Sequence, residues 1–141
     1  MNTNTLILLL RIAGLLHIGL AWAGATMPAA VNLKAHLAPL PSFIKRLFYV
    51  YYAFIAMVLI GFGFLTFWFA PALASGGGLA RAVCILMTVF WTMRLISAAF
   101  IIDFRPYLTT WFYRVGYQAT NLVFAYLFTI YILTAWKGGS L

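Results

Sequence analysis

One arginine, Arg94, lies near the middle of the long apolar run Ala82–Ile102. An arginine inside the hydrocarbon of a membrane costs about 2.5–3.5 kcal/mol on insertion scales, so its guanidinium group requires an acceptor. The only acidic residue of the chain is Asp103, nine residues further along. At about 100° per residue, the two side chains lie on opposite faces of one helix. We therefore expect Arg94 either to bond to backbone carbonyls and Asn121 or to bind an anion from outside the chain.

Four other polar residues are predicted to lie near the depth of Arg94. At about 1.5 Å of rise per residue, His17 and Arg94 both lie about 12 Å from one common membrane surface, and Asn121 lies about 9 Å from it. Gln118 lies between Asn121 and that surface, and Tyr52 occupies the neighbouring level of its own helix. These five residues are the candidate site for a ligand or a partner.

Three kinds of occupant suit such a polar layer. The first is a carboxylate from another subunit, and the second is a small ligand with an acceptor oxygen, such as a quinone or a lipid-like anion. The third is haem, for which His17 offers one axial ligand, so that the other must come from a second copy or a partner. The alternative is that His17 forms a hydrogen-bonded contact between helices. With these alternatives open, the sequence does not identify a cofactor.

Side-chain direction separates Arg94 from Arg11, the other arginine within an apolar run. The Cα–Cβ bond of a helical residue tilts toward the N-terminus of the helix. For Arg11 this direction leads to the nearer membrane surface, so its charged end can extend to water. For Arg94 it leads away from the nearer surface, which favours a specific partner.

The composition assigns the chain to the membrane proteins. Hydrophobic residues make up 66% of the 141 residues and charged residues only 7%, and the mean hydropathy is +1.04. About 20 apolar residues cross a bilayer as a helix, which satisfies every backbone group internally. We therefore predict a single all-α membrane domain, a bundle of four transmembrane helices. The predicted spans are Thr5–Ala25, Leu47–Ala70, Ala82–Ile102 and Val115–Trp136.

Two further features concern how the helices pack and connect. Gly14, His17, Ala21 and Gly24 follow one stripe of the first helix, where small residues allow another helix to approach closely. In the first connection, Pro28–Ala38 is predicted as a short interfacial helix that starts with proline in its first turn. The second connection, Pro71–Ala80, contains three consecutive glycines and is predicted to be a flexible turn. In the third, Asp103, Arg105 and Arg114 are predicted to form a charge cluster.

The basic residues in the connections predict an orientation. The first and third connections contain Lys34, Lys45, Arg46, Arg105 and Arg114, whereas the other side of the membrane has only Arg81 and Lys137. Basic connections favour the cytoplasmic side, which places both termini outside the cytosol of a bacterial inner membrane. The net charge of +8 then indicates contact with anionic lipid head groups. Nucleic acid is excluded as a partner, because the charges form no basic patch outside the membrane.

Motifs for catalysis and metal binding are missing from the sequence. It contains no nucleophile elbow, no CxxC or HExxH pair, no phosphate-binding glycine loop and no pair of carboxylates. We assign no catalytic or metal-binding residues and do not expect an enzyme.

The segment Leu10–Gly19, LRIAGLLHIG, resembles the first helix of DoxX-type small membrane proteins. Members of that family also have four spans in a chain of about this length, which agrees with the predicted bundle. The resemblance ends after the first helix, because the glycine-rich second and third helices of the family are missing here. It implies no functional residue.

The expected function follows from the unmatched Arg94 and from the lack of a soluble domain. We expect a small, non-catalytic accessory or scaffold subunit that packs with other membrane subunits or with copies of itself. The alternative is a membrane protein that binds a quinone, haem or an anionic lipid in a polar pocket.

Overall fold

The long apolar runs form helices in the computed structural model, which describes residues 2–102, 106 and 109–137. In chain order the helices are α1 (Thr3–Ala30), α2 (Leu33–Leu37), α3 (Ser42–Trp68), α4 (Ala70–Ser75), α5 (Gly78–Ile96), a π-helix (Ser97–Ile101) that continues α5, and α6 (Trp111–Lys137). In the described residues, four helices are long and apolar enough to cross a membrane: α1, α3, α5 with its π-helix, and α6. The predicted all-α bundle of four membrane helices is confirmed.

Two antiparallel helix pairs build the bundle. The most extensive contacts are those of α1 with α3 and of α5 with α6. The pairs are joined through α1, which also contacts α6 and α4, and through α4, which contacts α5. The centre is largely apolar and includes Leu6, Leu10, Met87, Trp91, Phe124 and Leu127, together with a few buried polar side chains. Large apolar side chains also cover the exterior of all four long helices, as a lipid-facing surface requires.

The first connection differs from its prediction. Pro28 does not begin a separate helix but lies inside α1, which continues to Ala30. The chain then turns at Asn32, whose φ of 49° is left-handed, and only Leu33–Leu37 forms the short helix α2. Asparagine tolerates this conformation better than most residues. The helix predicted over Pro28–Ala38 is therefore wrong in its start and its length.

The second connection is more ordered than a flexible turn. Ala70–Ser75 forms α4, with a proline in its first turn, and the chain leaves it through Gly76 at a φ of 79°. Glycine adopts this left-handed conformation without steric cost. Ala70, Leu73 and Ala74 are buried, because α4 packs against both α1 and α5. Only the segment after α4 resembles the predicted turn.

The third connection is described only in part. Asp103 and Arg105, which were predicted to form a charge cluster with Arg114, lie outside the described residues. Arg114 is exposed in the first turn of α6. After this connection, α6 runs antiparallel to α5. The hydroxyl of Tyr117 on α6 donates to the carbonyl oxygen of Ala98 in the π-helix.

Candidate functional site

Arg94 lies on α5 and extends its side chain toward the middle of α6. Its guanidinium carbon is 4.8 Å from the ring centroid of Phe124, which is the central residue of α6. Trp91, one turn before Arg94 on α5, stacks on the same Phe124 ring at a centroid distance of 5.3 Å. Phe124 thus contacts both the indole of Trp91 and the cation of Arg94. At about 1.5 Å per residue, this level is about 20 Å from either end of α6.

Arg94 lacks an acceptor oxygen within the described part of the chain. No hydrogen bond or ion pair joins it to any residue in 2–102, 106 or 109–137. Its neighbours on α6 are Phe124, a cation–π partner, and Tyr117, which interacts with it electrostatically. A cation–π contact contributes about 0.5–2 kcal/mol and leaves the donor hydrogens of the guanidinium unbonded. The site therefore supplies a surface for the cation but no anion.

Asn121 lies on the same side of α6 as the two neighbours of Arg94. The spacing of Tyr117, Asn121 and Phe124, four and then three residues, places them along one face of the helix. Asn121 is partly buried, and no residue that the structure describes forms a hydrogen bond with its amide. Gln118 is exposed one turn away. The Arg94 site, defined as Arg94, Asn121, Tyr117 and Phe124, therefore contains two groups of unbonded N–H donors.

Arg11 provides a comparison within the same molecule. Its guanidinium carbon is 6.0 Å from the ring centroid of Phe67, the second-last residue of α3. Arg11 is exposed, and its partner lies close to the end of a membrane helix. The predicted difference in direction between the two arginines is thus present: Arg11 turns toward a helix end and Arg94 toward the middle.

His17 is fully buried in the bundle core and uses both of its ring nitrogens. Nδ1 is 2.7 Å from the carbonyl oxygen of Ala13, which can only accept, so Nδ1 carries the hydrogen. The Nε1–H of Trp91 donates to Nε2 of His17 at 3.2 Å, which requires the lone pair there. These two hydrogen bonds require a neutral imidazole that carries its hydrogen on Nδ1.

Aromatic rings and a second hydrogen bond enclose this histidine. The rings of Trp91, Tyr131 and Phe62 lie edge-on to His17, with centroid distances of 5.1, 5.9 and 6.3 Å. The hydroxyl of Tyr131 bonds to that of Thr66 at 2.6 Å, which joins α6 to α3. In the described residues, every buried polar side-chain atom has a hydrogen-bond partner. Within the buried polar cluster, defined as His17, Trp91, Tyr131 and Thr66, His17 is bonded to Trp91 and Tyr131 to Thr66.

The two hydrogen bonds of the His17 ring decide against two occupants considered for this residue. An axial haem ligand must offer a free imidazole lone pair, and Nε2 already accepts from Trp91. A quinone oxygen needs a free N–H donor, and Nδ1–H is bonded to Ala13. The residues around His17 do not fit either group, and their geometry is that of a contact between helices.

Tyr52 has a structural partner on α1. Its hydroxyl donates to the carbonyl oxygen of Gly24. In a regular helix that carbonyl accepts the N–H of the residue four positions later, which here is Pro28, and proline has no N–H. Tyr52 thus supplies a donor for the carbonyl that Pro28 leaves unmatched. In a membrane such a replacement has particular value, because water is not available to bond to the backbone.

Part of the predicted small-residue stripe of α1 packs closely against α3, at Gly14 and His17, whereas a Cβ atom added to Gly24 would meet no atom within 4 Å. A Cβ atom added to Gly14 would lie 2.8 Å from the carbonyl oxygen of Gly63, and one added to Gly63 would lie 2.9 Å from that of Gly14. Real Cβ atoms do not come so close to backbone. The two glycines therefore set the distance between these helices, next to His17.

The five predicted site residues occupy three separate environments. Arg94 and Asn121 belong to the Arg94 site and Gln118 lies at its edge, whereas His17 belongs to the buried polar cluster. Tyr52 lies on another helix contact, at the level of Gly24. The contacts of His17 with Trp91 and Tyr131, and the bond of Tyr131 to Thr66, were not predicted. The signal available in the sequence is that a buried histidine needs both a donor and an acceptor.

Comparisons with protein-family models, with curated proteins and with solved structures find no match for this chain. The likeness of Leu10–Gly19 to DoxX-type proteins therefore stays limited to that one segment.

Proposed function

We propose that this chain is a small accessory or scaffold subunit of a larger membrane assembly, and that Arg94 is its contact with another membrane polypeptide. The observation that carries this proposal is the position of the Arg94 guanidinium, level with the central residue of α6 and without an acceptor from the described residues.

The energetics of an intramembrane cation support an external acceptor. A charged side chain at this depth is costly, and such residues face the interior of an assembly or a polar partner. Phe124 offsets part of this cost through its ring, but it does not bond to the N–H groups. The chain has one carboxylate, Asp103, against nine lysines and arginines. A larger assembly that contributes an acidic side chain removes this imbalance.

A second candidate function has one specific observation in its favour. Asn121 lies on the face of α6 that contacts Arg94 and offers an amide with no hydrogen bond to the described residues, and Phe124 offers an aromatic face. These groups suit a small ligand with an acceptor oxygen, such as a quinone or a lipid-like organic anion. Haem is not part of this candidate, because the nitrogens of His17 are already bonded.

The proposed location is a bacterial inner membrane, with both termini outside the cytosol. The basic residues of the first and third connections support this orientation, and they also favour contact with anionic lipids. Reporter fusions at each terminus and in the connection after α4 would test it. The proposal requires both termini and the connection after α4 to report the side of the membrane outside the cytosol.

Native mass spectrometry in mild detergent tests the assembly directly. The wild-type chain and two variants, Arg94→Leu and Arg11→Leu, are extracted from their own membrane. The proposal expects a discrete complex with other polypeptides for the wild type and for Arg11→Leu, and its loss for Arg94→Leu. A lone chain with a fixed extra small mass would support the ligand-binding candidate instead, and a bare monomer in all three samples would contradict both.

A further inference from the structure

We infer that the Arg94 site takes a carboxylate carried near the middle of a transmembrane helix of a different polypeptide. This inference deepens the proposed function and rests on it, because it names the chemistry and the source of the acceptor.

The donors of the site favour a carboxylate over a neutral acceptor. A guanidinium group presents parallel N–H donors that match the two oxygens of a carboxylate. Asn121 adds an amide N–H on the neighbouring helix. Phe124, three residues from Asn121 on the same face of α6, already contacts the cation at 4.8 Å. An ionised acid neutralises the charge of Arg94, whereas a neutral acceptor only satisfies its hydrogen bonds.

The depth of the site selects the source of that carboxylate. The backbone of Arg94 lies seven residues, about 10 Å, before Ile101, where its own span ends, but its guanidinium contacts Phe124, the central residue of α6, about 20 Å from either end of that helix. The hydrocarbon core of a bilayer is about 30 Å thick, so lipid phosphates lie about 15 Å or more from its middle. A lipid head group therefore does not reach the guanidinium without a large distortion of the bilayer. A side chain on a helix that crosses the membrane reaches it without one.

A second copy of this chain does not supply the acid either. The only acidic side chain in the sequence of a copy is that of Asp103, nine residues after Arg94 and two residues after Ile101, the last residue of the third membrane span. In the sequence of a copy with the same orientation, the acid therefore comes after the span, whereas Arg94 lies within the span and contacts the central residue of α6. The partner is accordingly a different polypeptide with an Asp or Glu inside one of its own spans.

The surface beside the site has room for such a helix. Gln118, Leu122 and Ala125 follow a spacing of four and three residues and are all exposed, so they form a stripe along α6 next to Asn121. Gln118 is polar and Ala125 is small, and both kinds of residue recur where membrane helices pack together. A partner helix on this stripe places its central acid at the level of Arg94.

Synthetic helices in lipid vesicles test the inference with probes of known chemistry. Three apolar transmembrane peptides of about 22 residues are compared, with a central Glu, a central Gln, or a Glu near one end. Association with the reconstituted full-length chain is measured by energy transfer between labels. We expect the central Glu peptide to associate at least about tenfold more tightly than the other two. Equal association of the Gln peptide would overturn the carboxylate, and equal association of the displaced Glu would overturn the depth.

Variants of the chain connect this preference to Arg94. The Arg94→Leu variant should lose the preference for the central Glu peptide, while Arg11→Leu should keep it. Energy transfer between two differently labelled copies of the wild type measures self-association. Self-association that disappears both in Arg94→Leu and in Asp103→Asn would show that a second copy is the partner, which contradicts the inference.

The outcomes separate this inference from the proposed function. A native complex that needs Arg94, combined with no preference for the central Glu peptide, would retain the accessory subunit and reject the carboxylate. A clear preference for that peptide without any native complex would retain the carboxylate-binding chemistry of the site and reject the accessory subunit. The peptide comparison uses the wild-type chain, so it does not depend on whether a variant folds.

Discussion

Replacement of Tyr52 by Phe should destabilise the bundle because of a proline on another helix. The Tyr52 hydroxyl donates to the carbonyl of Gly24, and Pro28 cannot supply the N–H that normally bonds there. An unsatisfied buried polar group costs about 1–3 kcal/mol, and hydrogen bonds measured within membranes average about 0.6 kcal/mol with a maximum near 1.7. Since Tyr52 is only partly buried, we expect Tyr52→Phe to cost about 1–1.5 kcal/mol.

The same substitution should cost much less when Pro28 is replaced by Ala. Alanine restores the backbone donor, so the Gly24 carbonyl no longer depends on the tyrosine, and the loss should fall below about 0.5 kcal/mol. The coupling energy of the two substitutions is then about 0.5–1 kcal/mol, which a double-mutant cycle can resolve. Reversible unfolding in mixed detergent micelles, followed by the fluorescence of the five tryptophans, provides the free energies.

Tyr126 is a matched control for this cycle. Its hydroxyl also donates across a helix contact, to the carbonyl of Leu9 at 2.9 Å. That carbonyl has Ala13 four positions later, so a backbone N–H is available to it. Tyr126→Phe should therefore show no coupling to Pro28→Ala. An equal cost of Tyr52→Phe in both backgrounds would refute the link between the proline and the tyrosine.

Three other predictions concern the bundle core. Gly14→Ala should destabilise the bundle by about 1–3 kcal/mol, because the added Cβ meets the backbone of Gly63 at 2.8 Å. Gly19→Ala, with open space around the added Cβ, should be neutral or stabilise the bundle by up to about 1 kcal/mol. Unfolding measurements that find equal costs for the two variants would contradict the close helix contact. Trp91→Phe should cost about 1–2 kcal/mol in the same assay, since it leaves Nε2 of His17 without its donor, and an unchanged stability would count against that bond. Haem added to the wild type should show no absorption spectrum of axial histidine ligation, and a histidine-ligated spectrum that His17→Ala abolishes would show that the cluster opens.

Hydropathy predicted the four membrane helices because each span must satisfy its own backbone and present apolar side chains to lipid. Helix geometry also indicated the direction of the Arg94 side chain, since the tilt of the Cα–Cβ bond in a helix is independent of tertiary structure. Apolar runs are hydrophobic on all sides, however, so they do not reveal which face of a helix meets its neighbour. For this reason the contact between Trp91 and His17 was not predicted.

Helix ends were less predictable than helix cores for a related reason. Pro28 normally marks the start of a helix, and the local sequence favours that interpretation. Inside α1, the Gly24 carbonyl that Pro28 leaves unmatched accepts a hydrogen bond from Tyr52, twenty-four residues beyond the proline. Similarly, Tyr52 was grouped with Arg94 by depth alone, whereas helix rotation directs it to another contact. Long-range bonds of this kind cannot be recognised from local patterns.

Photo-crosslinking in the native membrane tests most directly whether another polypeptide covers the Arg94 site. A photoreactive amino acid is placed at Gln118, exposed beside Asn121, and in a second variant at Val58, exposed on α3. We predict that the Gln118 variant forms a discrete crosslink to a different membrane protein with an acidic residue inside one of its spans, and that the Val58 variant does not form this product. Crosslinks from position 118 to lipid alone, or only to a second copy of the chain, would contradict the account.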